Sequence, residues 1–236
     1  MTHHPTQEIG QLMAEVHRTT MTPTKLELLT AWLPSQPWYD GKGGEPQLRR
    51  AGGFRLDDPD GEVGIEFLVV ADASGGATAY YLVPLTYRGA PLAGAETALV
   101  GTSEHGVLGT RWIYNAPADA VFVAELLSLL QNVAEPQLQG ESFTPDPSVL
   151  VTGSAVAGRI VAVSAVTEDT DDTTRIVLAA RVAGDLSAHT LTIEVARVLS
   201  AGQKTESEDL GSVRAGWQGA DGMTIRGRFA AIREFA

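Results

Sequence analysis

The sequence predicts an α+β fold: an antiparallel sheet with short flanking helices, followed by an antiparallel β-rich C-terminal part. Three observations carry this. Two strand-like runs, 62–73 and 77–88, are separated by Ser74-Gly75-Gly76, and a short glycine-containing connection between β-rich runs makes a hairpin. Val121, Phe122, Leu126, Leu129, Leu130 and Val133 recur at helical spacing, which suits a helix laid on a sheet. From residue 148 onward, runs rich in Val, Ile and Thr alternate with Gly/Asp turns.

Bulk properties narrow the function. A hydrophobic fraction of 44% over 236 residues supports a real core. The formal net charge is −12 and the pI is near 4.8. That speaks against nucleic acid and anionic lipid as partners, which need a basic footprint. The absence of cysteine removes disulfides, thiolate catalysis and thiolate metal ligands. No run approaches the ~20 apolar residues of a membrane helix, and no signal-peptide pattern opens the chain. The expectation is a cytoplasmic protein.

Taken in order, residues 1–22 read as a polar tail. Ile9, Leu12, Met13 and Val16 allow a short amphipathic helix there. His3 and His4 make a poor metal site without a third ligand. Thr22 or Thr24 can cap a helix, with Glu27 three residues after Thr24. That helix is expected to stop at Pro34. Trp38, Tyr39 and Lys42 then sit in a Pro/Gly loop, either as an aromatic ligand platform or as a plug onto the sheet. Residues 47–57 read as a strand bent at Gly52-Gly53, and Asp57-Asp58-Pro59-Asp60-Gly61 as a turn.

The run 62–73 is mostly apolar on both alternations after Ile65, so it is expected in the middle of the sheet. A turn at 88–92 follows the second hairpin strand. Residues 99–109, dense in Gly and small polar residues, read as a loop feeding a short strand at 111–115. Residues 23–133 form the first predicted domain. Residues 134–147, with Pro136, Pro145 and Pro147, read as a linker. Residues 148–236 read as a meander of about five strands.

The loop from Trp32 to Lys42 resembles the opening of the N-terminal cap of actinobacterial maltokinases. So do Pro84-Leu-Thr-Tyr-Arg-Gly-Ala-Pro-Leu and Gly101-Thr-Ser-Glu-His-Gly-Val-Leu-Gly-Thr-Arg-Trp-Ile-Tyr, in matching order and spacing across roughly residues 24–130. Pro37 departs from the pattern, which usually has a basic residue there. The resemblance implies a curved antiparallel sheet with flanking helices, and a place in α-glucan and trehalose metabolism. Phosphoryl transfer needs a catalytic-loop Asp, a following Asn and a second metal-binding Asp. These 236 residues hold no His-x-Asp with a downstream Asn, and no Asp-Phe-Asp or Asp-Phe-Gly. Kinase activity is therefore not carried over.

Candidate chemistry centres on Glu104 and His105, an acid–base pair that can work near neutral pH or simply hold its loop. Arg88 and Arg111 end strands and can take an anion, or pair with Glu96 or Glu104. The expected ligand surface is Trp38, Tyr39 and Lys42 with Arg88, Glu104, His105, Arg111 and Trp112. No catalytic residue, metal or cofactor is assigned. The favoured reading is a non-catalytic binding or regulatory module whose partner is a sugar or a glucan-pathway protein. A protein-interaction subunit comes next, and a small enzyme using Glu104 and His105 third.

Overall fold

The computed structural model of the chain describes residues 20–41, 44–141, 143–153, 159–184, 187–202 and 209–234. The short helix that residues 9–16 allow, His3, His4 and Lys42 lie outside these.

The N-terminal half contains β1 (Met21–Thr22), α1 (Lys25–Trp32), β2 (Leu48–Leu56), β3 (Gly64–Asp72), β4 (Ala79–Arg88), β5 (Leu99–His105), β6 (Gly109–Asn115) and α2 (Ala120–Leu130). The C-terminal half adds β7 (Leu150–Thr152), β8 (Ile160–Asp169), β9 (Thr173–Val182), β10 (Ala188–Ala196), β11 (Gly211–Gln218) and β12 (Thr224–Glu234). The strand order is β1-β5-β6-β4-β3-β2-β11-β12-β10-β9-β8, with β7 beside β11. Every pairing is antiparallel. The antiparallel sheet is as expected. The helical share is not: the two α-helices are short, so the described molecule is mostly β rather than clearly α+β.

Helix α1 starts where the sequence placed it. Thr24 Oγ1 accepts from the Glu27 amide at 3.3 Å, and Glu27 Oε2 accepts from the Thr24 amide at 2.7 Å. This capping box satisfies two amide donors of the first turn. Pro34 then sits in a 3-10 turn, Leu33–Ser35. Asp119 caps α2 by accepting from the Val121 amide at 3.0 Å.

Strand β3 explains its own composition. Ile65, Phe67, Val69 and Ala71 face one core, shared with α2 and the C-terminal strands. Leu68 and Val70 face a second core, shared with Leu29, Leu33, Trp38 and Tyr81. A strand buried on both faces is apolar on both alternations, as Phe67–Ala71 are, while the buried carboxylates Glu66 and Asp72 flank that run.

Two expectations need correcting, and the segment read as a linker has a defined place. Residues 99–105 are a strand, not a loop, and pair with β6 in a hairpin. Gly101 serves close packing there: a Cβ would lie 2.7 Å from Leu28 Cδ2 of α1. Among the described residues the C-terminal part has six strands, and they are not a simple meander. β10 pairs with β9 and β12, which leaves β11 to meet β2 through Trp217 and Gly52. The expected linker is hydrogen-bonded to the sheet: the Gln137 amide donates to Arg55 O at 2.8 Å, and the Arg55 amide to Gln137 O at 2.9 Å.

A second seam joins the halves. The Leu82 amide donates to Arg197 O at 2.9 Å, and the Leu199 amide to Tyr80 O at 2.8 Å. The chain just after β10 therefore runs along the start of β4.

Candidate functional site

The aromatic loop is a plug. Trp38 is 1% exposed and packs on Trp32 and Tyr81 with ring centroids 5.9 and 6.1 Å away. It has no face to offer a ligand. Tyr39 Oη donates to Asp72 Oδ2 at 2.7 Å. Burial, with help from that carboxylate, pushes the Tyr39 phenol up to about 12. Asp72 also accepts from the Gln47 and Ser74 amides and from Ser74 Oγ, each at 2.9 Å. Burial raises this carboxyl, but those donors outweigh it and leave it below the ordinary aspartate value.

The remaining candidates lie at the other end of β4. Tyr81, which Trp38 and Tyr39 pack against, is seven residues from Arg88, roughly 23 Å at about 3.3 Å per residue. Arg88 stands opposite Trp112 in register. Glu104, His105, Arg111 and Trp112 share the β5–β6 hairpin. Of the residues expected to form one ligand surface, the seven that are described therefore fall into two groups, Trp38 and Tyr39 at one end of β4 and the other five at the other.

Arg88, Glu104, His105 and Arg111 each make structural contacts. Arg88 Nε and Nη2 donate to Asp119 Oδ2 and Oδ1, both at 2.7 Å. Its partner is neither Glu96 nor Glu104. Thr110 Oγ1 donates to Glu104 Oε1 at 2.7 Å. His105 Nδ1 accepts from the Leu108 amide at 3.1 Å and the Val107 amide at 3.4 Å, closing the hairpin turn. Arg111 Nη2 donates to Leu108 O at 2.6 Å.

The structure also shows two buried charged groups that periodicity passed over. Glu66 is 4% exposed. It accepts from Lys25 Nζ at 2.6 Å, Tyr87 Oη at 2.5 Å and Gln139 Nε2 at 3.1 Å. Burial raises the Glu66 carboxyl, but the Lys25 charge and these bonds leave it below the ordinary glutamate value. The surroundings of Glu66 are fully structural, tying α1 to β3, β4 and the segment after α2.

The second is Arg197, 0% exposed. Its guanidinium lies over the Trp38 ring, 4.9 Å from the centroid. Nε donates to Thr174 Oγ1 and Nη2 to Asn115 Oδ1, both at 2.7 Å. Nη1 is buried without a hydrogen-bond partner. Burial lowers the guanidinium to about 10, and the Asp169 charge acts in the opposite direction. Asn115 and Thr174 line a cleft of about 180 Å³, together with Trp32, Gln36, Thr167 and Asp169. Sequence showed Arg197 only as a basic residue near the end of an alternating run. Among the described residues, no group of three or more His, Asp or Glu is placed to hold a metal.

The fold and these contacts define a mostly β protein whose N-terminal sheet is plugged by an aromatic loop and in which the cleft beside Asn115 and Thr174 is lined from both halves. Residues 32–119 match the family model of the maltokinase N-terminal cap domain, so the resemblance read from the motifs is shown over that stretch. No curated protein matches the chain. The matched region supplies Trp32, Gln36 and Asn115 to the cleft; Thr167, Asp169, Thr174 and the buried Arg197 lie outside it.

Proposed function

We propose that the chain is a non-catalytic, cap-type binding or regulatory module of α-glucan or trehalose metabolism, acting in the cytoplasm. The match of residues 32–119 to the maltokinase N-terminal cap domain carries this reading. The state of the acid–base candidates supports it: His105 Nδ1 is committed to two backbone amides and Glu104 to Thr110. A general base must reach the proton it removes, and these two atoms already serve the hairpin. The test combines two measurements on the purified chain. Maltose, trehalose or glycogen is expected to raise the melting temperature, and ATP with maltose is expected to be left intact. Disaccharide-dependent consumption of ATP would overturn the non-catalytic reading.

One observation favours a second reading, a subunit that docks on a kinase or glucan enzyme. Strand β8 ends the sheet, and Val161, Val163 and Val166 on it are 55%, 62% and 70% exposed. An exposed apolar edge strand is a template for a partner's strand. Val163→Lys with Val166→Lys would then abolish co-elution with the enzyme. Unchanged co-elution of the double variant would remove this reading.

A further inference from the structure

The cleft shared by the two halves has its donors and acceptors fixed by Arg197. A guanidinium carries five N–H donors and no acceptor. The Asn115 atom that faces Nη2 must therefore be its carbonyl oxygen, which leaves the amide nitrogen with two donors for other partners. Thr174 Oγ1 accepts from Arg197 and gives its own proton to Asp169 Oδ1. The second Asp169 oxygen is then an acceptor. Gln36 Nε2 donates to Ser35 Oγ at 2.8 Å, so its carbonyl oxygen is a second acceptor. Asn115, Asp169 and Gln36 all line the cleft, beside the half-buried Trp32.

We propose that this cleft binds one neutral pyranose ring, or a cyclic polyol of that size. Neighbouring ring hydroxyls each donate and accept. They match a wall that alternates an amide donor (Asn115) with acceptors (Asp169, Gln36). The Trp32 ring supplies an apolar surface for the C–H face of such a ligand. A volume of about 180 Å³ suits one ring rather than a chain. Charge points the same way. Arg197 and Asp169 offset one another, so the ligand brings no net charge. Arg197 acts here as a positioning residue, because it sets which way Asn115 and Thr174 present their groups.

This inference gives a location to the carbohydrate-binding part of the reading above and rests on it only there. Calorimetric titration of the full chain with glucose, maltose, trehalose and inorganic phosphate tests it. A neutral sugar is expected to bind. Asn115→Asp is expected to weaken it roughly tenfold or more through loss of the amide donor. The same change is expected to leave the melting temperature unlowered, since the new carboxylate faces Arg197. Gln36→Ala, which removes an acceptor contributed by a different segment of the chain, is expected to weaken binding similarly. A sugar that binds both variants as tightly as the parent overturns the cleft while leaving the module's carbohydrate link standing. Binding of phosphate without any sugar overturns it in favour of an anion site. Silence from every sugar overturns both the cleft and the carbohydrate link.

Discussion

Asp72 and Glu66 show how much a single carboxylate can organise. Asp72 gathers four donors around the start of the β3–β4 turn, among them the Tyr39 hydroxyl that pins the aromatic loop. Glu66 gathers three from separate elements. Both carboxyls titrate below their ordinary values in the folded protein. A depressed folded value stabilises the fold above the unfolded value, near pH 4, and that contribution is lost as pH falls through the folded one. Urea midpoints are therefore expected to hold from pH 7 to about 5 and to fall below about 4. Asp72→Asn should flatten part of that acid limb; an unchanged limb would mean that Asp72 is not the group responsible.

Arg88 makes the limit of sequence reading concrete at the same scale. Its position at a strand end pointed to an ion pair, and an ion pair is present. The partner is Asp119, 31 residues onward, because β6 brings the start of α2 back to the end of β4. Local spacing offered Glu96 and Glu104, and only the topology could select otherwise. Asp119 is 0% exposed, so Arg88→Ala would strand a buried carboxylate. The expected loss is about 3 kcal/mol in chemical denaturation. Arg88→Lys should recover less than half of it, because an ammonium lacks the two-pronged geometry. Full recovery with lysine would show that charge alone matters here.

At the scale of elements, the sequence was most legible where local rules act alone. The capping box of α1, the Asp119 cap of α2 and the two-faced burial of β3 all follow from neighbouring residues. Thr24→Ala removes one cap acceptor and should cost about 1 kcal/mol, with ellipticity at 222 nm nearly unchanged. A cost near zero would mean that packing of Leu29 and Leu33 alone holds the helix.

The sequence was least legible where a residue serves a distant neighbour. Glycine at 101 reads as loop chemistry, yet it makes room for Leu28 of α1. Trp38 and Tyr39 read as plug ahead of platform, and the fold, with Tyr81 and Arg197 packed against them, makes them the plug. The strand order of the C-terminal part was hidden for the same reason. Alternation reveals a strand's faces but not its neighbour.

Across the whole molecule, the question is whether the halves before and after α2 unfold together. One hydrophobic cluster contains Phe54 and Phe67 from the first half and Trp217 and Phe229 from the second. The rings form a continuous series: Phe54 stacks on Phe67 at 4.4 Å and reaches Phe229 at 6.1 Å, and Phe229 meets Trp217 at 6.2 Å. Apolar area shared in this way cannot be exposed by one half without the other. Heating is thus expected to give one transition, with tryptophan fluorescence and far-ultraviolet dichroism superimposing. The seam at Gly52 tests the mechanism. A Cβ there would lie 3.1 Å from both Gly216 O and Trp217 Cα, and backbone on both sides must move to admit it. Gly52→Ala should lower stability by about 2 kcal/mol and still leave a single transition, because Phe54 with Phe67 and Phe229 continues to join the halves. Two resolved transitions in the parent protein would show that the shared cluster does not couple the halves.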